Sequence, residues 1–168
     1  QVRSGVFLSG IRRIGKTTFL RQDLIPALES MQALVIYVDL WADRSKSPAL
    51  LVHEAVKSTL SELASPGAKV LERFKGLNVV AAGFSFGFQV DSVGKPGGAT
   101  LSEVFTELVD KVSTNVVLIL DEVQQALGTE DGNNLLFALK AARDGVNTRP
   151  GTPGYLLFLG TGSHKSLV

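Results

Sequence analysis

The chain has 168 residues, 45% of them hydrophobic and 20% charged, and its 17 Lys and Arg against 16 Asp and Glu leave a formal charge of +1. That is the size of one globular domain, without the net positive field that would hold a polyanion or an acidic membrane. No cysteine is present, which excludes a disulfide framework, a thiolate zinc site and a cysteine nucleophile and fits a cytoplasmic location.

The mean hydropathy of +0.21 is high, yet the longest apolar runs, Ala33 to Val38 and Val116 to Leu120, fall far short of the ~18 residues a membrane span requires. They read as buried strands, and no membrane partner is expected. A chain that opens at Gln1 and closes at Val168, directly after an apolar strand, reads as a piece of a longer protein.

In chain order, Val6-Phe7-Leu8-Ser9 predicts a strand that meets Gly10. Gly15-Lys16-Thr17-Thr18 then leads into a helix with Phe19, Leu20, Leu24 and Leu28 at helical spacing, which Pro26 should kink or end. Leu34 to Val38 follows as a strand apolar on both faces, closing at Asp39-Leu40-Trp41. Ser47-Pro48 caps a helix whose stripe of Leu51, Val52, Ala55, Val56, Leu60 and Leu63 runs to the Pro66-Gly67 break.

From Asn78 to Val90 the period changes to two, with Val80, Ala82, Phe84, Phe86, Phe88 and Val90 on one face. This predicts an extended aromatic arm, or a hairpin bent at Gly83 or Gly87, buried against the domain or a neighbouring subunit. Thr100-Leu101-Ser102-Glu103 is a capping box opening a helix over Leu101 to Val112. Val116 to Leu120 is the next strand, ending at Asp121-Glu122. A helix from about Asn134 to Arg143 should stop at Gly145, and Tyr155 to Leu159 predicts a last strand before Gly160-Thr161-Gly162-Ser163. Strands alternating with helices indicate a parallel sheet covered on both sides, with ligands at the carboxyl ends of its strands.

The chemistry gathers at those ends. Gly10-Ile11-Arg12-Arg13-Ile14-Gly15-Lys16-Thr17 has the spacing of a phosphate loop. Glycines let the backbone curl so that N–H groups face phosphate oxygens, and the following helix offers its positive end to the same anion. Lys16 is then expected at the β- and γ-phosphates and the Thr17 hydroxyl on Mg²⁺, while Thr18 closes the loop by capping or packing the first helical turn.

Asp121 is expected to hold the Mg²⁺ and Glu122 to orient or deprotonate the attacking water. A small-molecule kinase would not need such a water activator, so Glu122 favours a nucleoside triphosphatase. Asp39 and Trp41 also sit at a strand end, where they could touch substrate or metal, although helix capping and packing are the ordinary use of such residues. If the last strand lies between the other two, Thr161 or Ser163 points toward the γ-phosphate or the water; otherwise the stretch is a glycine turn with solvated hydroxyls. His164 reads as a surface residue.

The combination GIRRIGKT, ALVIYVDLW, VVLILDEVQQ and YLLFLGTGS resembles the AAA-type ATPases of the P-loop superfamily, and within them the archaeal-type ATPases related to the STAND signalling NTPases. The double arginine of the loop and the D-E-x-Q after the strand are the features most specific to that group. The resemblance covers the chain except the arm at 78–90. It implies a three-layer α/β/α sandwich with a mainly parallel sheet in the order 5-1-4-3-2. It implies ATP or ADP and Mg²⁺ as ligands, catalytic Asp121 and Glu122, and a polar sensor at Thr161 or Ser163. It also places a fifth strand, an arginine finger and a helical lid beyond Val168; Arg149 precedes the sensor strand and does not match the finger.

On this reading residues 1–168 are an incomplete ATPase core, a switch or motor in a larger protein with a homo-oligomeric or other protein partner. Two further functions stay open: a non-catalytic module whose surface is ordered by nucleotide, and a DNA-handling ATPase of the initiator type. DNA contact would have to come from regions outside the segment, because Arg12, Arg13 and Arg21 sit beside the expected phosphate site.

Overall fold

The computed structural model describes residues 5–73 and 83–164. Four parallel strands form one sheet: β1 (Gly5–Ile11), β2 (Leu34–Asp39), β3 (Val116–Asp121) and β4 (Leu156–His164), in the order β1-β4-β3-β2. These are strands 1-4-3-2 of the expected order; a fifth strand is not among the described residues. β3 lies between β2 and β4 and is buried along its whole length, which is why Val116 to Leu120 shows no alternation.

One face of the sheet is covered by α3 (Pro48–Ala64), α5 (Leu101–Val112) and α6 (Glu130–Asn147); α4 (Lys69–Glu72) is a single turn beyond α3. α3 begins where the Ser47 side chain accepts the Leu50 N–H at 3.2 Å, with Pro48 at the position where its missing N–H costs nothing. α5 opens on a complete capping box, Thr100 accepting the Glu103 N–H at 3.2 Å and Glu103 accepting the Thr100 N–H at 2.7 Å. From these helices Val56, Leu60, Phe105 and Leu108 meet Ile36, Leu118 and Leu156 of the sheet in one apolar cluster.

The opposite face is covered by a helical run from Lys16 to Ser30: α1 (Lys16–Phe19), a π turn over Leu20–Leu24, and α2 (Ile25–Ser30). Pro26 neither ends nor breaks it. The preceding turn takes the wider π form and Pro26 stands in the first turn of α2, where a proline is tolerated.

Three expectations from the sequence are corrected. α6 extends from Glu130 to Asn147, because Thr129 accepts the Gly132 N–H at 3.1 Å and caps it early. Gly145 does not stop it, since the next residue, Val146, is fully buried and its packing outweighs the ~1 kcal/mol that a helical glycine costs. β4 does not end at Leu159; the Gly160–Ser163 stretch continues the strand, pairing with β1 as far as His164.

The third correction concerns the aromatic arm, of which 78–82 lies outside the described residues. Residues 83–89 form no strand. Phe84, Phe86, Phe88 and Val90 are nevertheless half-buried on the large apolar cluster, with Ser85, Gly87 and Gln89 exposed between them. Phe86 and Phe88 stack with centroids 5.6 Å apart. The period of two reported burial correctly, but among the described residues the segment has no sheet partner. Its N–H groups go to the Leu63 carbonyl, from Phe84 at 2.8 Å, and to Glu107, from Gly87 at 2.5 Å. Gly83 turns the chain at φ 81, where a Cβ would lie 2.5 Å from the Ala64 carbonyl oxygen.

Candidate functional site

At the carboxyl edge of the sheet, β1 gives way to a turn over Arg12–Gly15 before α1 begins at Lys16. Arg13 at φ 67 and Gly15 at φ 92 take left-handed conformations that curl this loop. For Arg13 that geometry costs about 1–2 kcal/mol, a kind of strain that gathers at ligand clamps. Lys16 folds over the loop, its Nζ donating to the Gly10 and Ile11 carbonyls at 3.1 and 3.0 Å. Ile14 points to solvent. Arg12 leaves the loop sideways and lies 4.7 Å over the Trp41 ring, a cation–π contact that ties the loop to the segment after β2.

Asp121, the last residue of β3, is only 1% exposed and is met by three hydroxyls. Thr17 and Tyr37 each donate to Oδ2 at 2.7 Å, and Thr161 donates to Oδ1. Burial opposes its charge, but these hydrogen bonds prevail and hold the carboxyl below the usual carboxylate range. Burial, and then the Asp121 carboxylate, push the Tyr37 phenol well up, so it remains a donor. Thr161 is fully buried and accepts the Glu122 N–H at 3.1 Å while donating to Asp121.

Glu122 takes the left-handed conformation at φ 62 as the chain leaves β3. One of its oxygens accepts from Ser163 Oγ at 3.0 Å, the other from the Gln124 amide. Arg13, Gly15, Lys16, Thr17, Thr18, Glu122 and Ser163 line one cleft of about 240 Å³. A larger hollow of about 470 Å³ lies between the 87–99 segment and α5, but its carboxylates already have partners, Glu103 in the capping box and Glu107 on the Gly87 N–H.

The expected residues therefore converge. The loop from Gly10 to Thr18, Asp121, Glu122, Thr161 and Ser163 share one edge, and Ser163 of β4 lines the cleft itself. Thr161 faces Asp121 and Ser163 faces Glu122, because β4 runs between β1 and β3. Asp39 stays local, accepting the Trp41 N–H at 2.8 Å. Sequence reasoning missed Tyr37, whose signal was a phenol within an otherwise aliphatic strand. Gln124 was noted only as part of the D-E-x-Q pattern. Among the described residues no group of three or more His, Asp or Glu side chains is placed to hold a metal ion. The hard-oxygen pair Thr17 and Asp121 suits Mg²⁺ instead, which is held by one or two protein oxygens and otherwise by water and phosphate.

No protein-family model matches the chain, and no curated protein matches it. Among solved structures it is similar to the ORC2 protein of Aeropyrum pernix, solved as ADPNP–ADP complexes. The identity is 18% and the TM-score 0.50, over 96% of this chain and 35% of that one. It is also similar to the ORC1 protein of the same organism, solved in complex with DNA, at 17% identity and a TM-score of 0.47, over 98% of this chain and 34% of that one. A KaiC-like protein from Pyrococcus horikoshii gives 18% identity and a TM-score of 0.39, over 95% of this chain and 63% of that one. The chain spans about a third of the length of the two ORC proteins. Sheet order, helical layers and the likeness to ORC2 define the fold as a P-loop NTPase three-layer α/β/α sandwich. Among the described residues no helix is long and apolar enough to cross a membrane.

Proposed function

We propose that this chain is the ATP-binding, ATP-hydrolysing core of an AAA-type protein of the archaeal-type group related to the STAND NTPases, acting as a switch or motor within a longer cytoplasmic protein. One observation carries the reading. The loop Gly10–Thr17 and the pair Asp121-Glu122, remote in sequence, meet across one cleft through the 2.7 Å hydrogen bond from Thr17 to Asp121.

On this reading the backbone from Ile11 to Thr17 wraps the phosphates, aided by the Arg13 side chain at the cleft, while Arg12 braces the loop against Trp41. Lys16 exchanges the Gly10 and Ile11 carbonyls for phosphate oxygens. Thr17 and the ionised Asp121 hold Mg²⁺, which when bound neutralises phosphate charge. Glu122 accepts a proton from the water that attacks the γ-phosphorus as the bond to the departing ADP oxygen breaks. Ser163 and Gln124 keep its carboxylate aimed, and Thr161 locks Asp121 and the Glu122 backbone to each other.

Glu122→Gln tests the reading. ATP binding in calorimetry is expected to persist, because the amide keeps the shape of the side chain and the metal ligands lie elsewhere. Single-turnover hydrolysis is expected to fall by about 10² to 10⁴. Wild-type hydrolysis in this variant would remove Glu122 from the mechanism and leave a nucleotide-dependent binding module as the better reading.

A further inference from the structure

Tyr37 is the one side chain of β2 whose polar end reaches the candidate site from outside the loop, the D-E pair and β4. Its ring packs in the small apolar cluster beneath α1 and α2, with Val35 and Ile119. In the β2–β3 register Tyr37 pairs with Ile119 and Asp39 with Asp121. The phenol therefore reaches diagonally to the next same-face position of β3, where it donates to Asp121 Oδ2 at 2.7 Å. The Arg21 guanidinium lies 4.9 Å over the ring from the helical run above.

The partners of Asp121 are not equivalent. Oδ1 is held by Thr161, which is itself pinned to the Glu122 N–H. Oδ2 is shared by Thr17 and Tyr37. Thr17 stands in the loop and carries the hydroxyl expected to face the cation. Tyr37 stands on a sheet strand and has no other assigned task, so it can fix the carboxylate plane whatever Thr17 does.

We infer that Tyr37 is a positioning residue for divalent-cation binding: its phenol, steadied by Arg21, orients the Asp121 carboxylate so that Asp121 and Thr17 present their oxygens together to a Mg²⁺–nucleotide. The inference rests on the nucleotide reading given above and adds a determinant on β2 that neither the loop nor the D-E pair contains.

The test is calorimetric titration of the chain with ATP, in EDTA and across a magnesium series, for wild type, Tyr37→Phe and Arg21→Ala. Tyr37→Phe keeps the ring and removes the donor. It should leave affinity in EDTA unchanged and reduce the magnesium-dependent gain in affinity about five- to tenfold, less than the full loss of a charge-assisted hydrogen bond. Arg21→Ala, an exposed change, should shift the gain about twofold in the same direction, since an exposed cation–π contact is weak, and it reads the same device should Tyr37→Phe fail to fold. An unchanged magnesium dependence in folded Tyr37→Phe, or in Arg21→Ala, overturns the inference. Equal losses with and without magnesium also overturn it, because they describe packing alone. A wild type that fails to bind ATP overturns the nucleotide reading itself and this inference with it; a wild type that binds with a magnesium-dependent gain leaves that reading standing whatever the variants do.

Discussion

The two faces of the sheet are built to different specifications. Beneath α3, α5 and α6 the side chains are apolar without interruption, from Leu34, Ile36 and Val38 across Leu118 and Leu120 to Leu156, and Phe105 is wholly enclosed among them. Beneath α1, the π turn and α2 the buried apolar side chains among the described residues are just Leu20, Ala33, Val117 and Ile119, and the polar Tyr37, Asp121 and Thr161 stand at the end of the same layer. The thick face holds the fold together through buried apolar area. The thin face can carry a buried carboxylate only because each polar group there finds a partner.

That contrast can be broken first at its apolar end. Phe105→Ala on the thick face should cost about 3–5 kcal/mol of stability, measured by denaturant unfolding, and leave ATP affinity unchanged in whatever fraction stays folded. A matching loss of affinity would mean that the two faces do not divide the work. On the thin face, Thr161→Val should cost about 1–3 kcal/mol despite its nearly equal volume, because it leaves Asp121 Oδ1 and the Glu122 N–H without their partner. A neutral result in unfolding would show that those groups are satisfied another way.

A smaller effect sharpens the comparison through pH. Burial would raise the Asp121 carboxyl, but its hydroxyl partners hold it below the ordinary value of about 3.9. The stability contributed by its ionisation is thus complete above that value and is lost as the pH falls through the lower, folded one. The melting temperature of the wild type should decline below about pH 4 more steeply than that of Asp121→Asn. Parallel declines would place the acid sensitivity elsewhere.

The thick face was also the legible one. Ser47-Pro48, the Thr100–Glu103 box and the stripes of α3 and α5 express helix period and capping in neighbouring residues, and the all-apolar run of β3 announces a central strand. The site was legible in its loop and D-E pair because phosphate binding demands fixed residue types at fixed spacing. Its cross-strand partners were not, since the reach of Tyr37 to Asp121 and of Ser163 to Glu122 depends on register between strands, which one sequence does not state. The aromatic segment misled for a related reason: alternation records which side chains are covered, and Phe84, Phe86 and Phe88 are half-covered by packing on the large apolar cluster, with no neighbouring strand among the described residues.

The most direct test of the account is the affinity of the chain for Mg-ATP before and after Lys16→Ala. Lys16 is half-exposed and donates only to two loop carbonyls, so its truncation should leave the melting temperature nearly unchanged. The loss of a charge-assisted contact of about 1.5–3 kcal/mol should weaken binding roughly ten- to a hundredfold. Binding weakened in that range, in a variant that melts like the wild type, is the predicted result. Equal affinity for both proteins would contradict the assignment of this loop as the phosphate site.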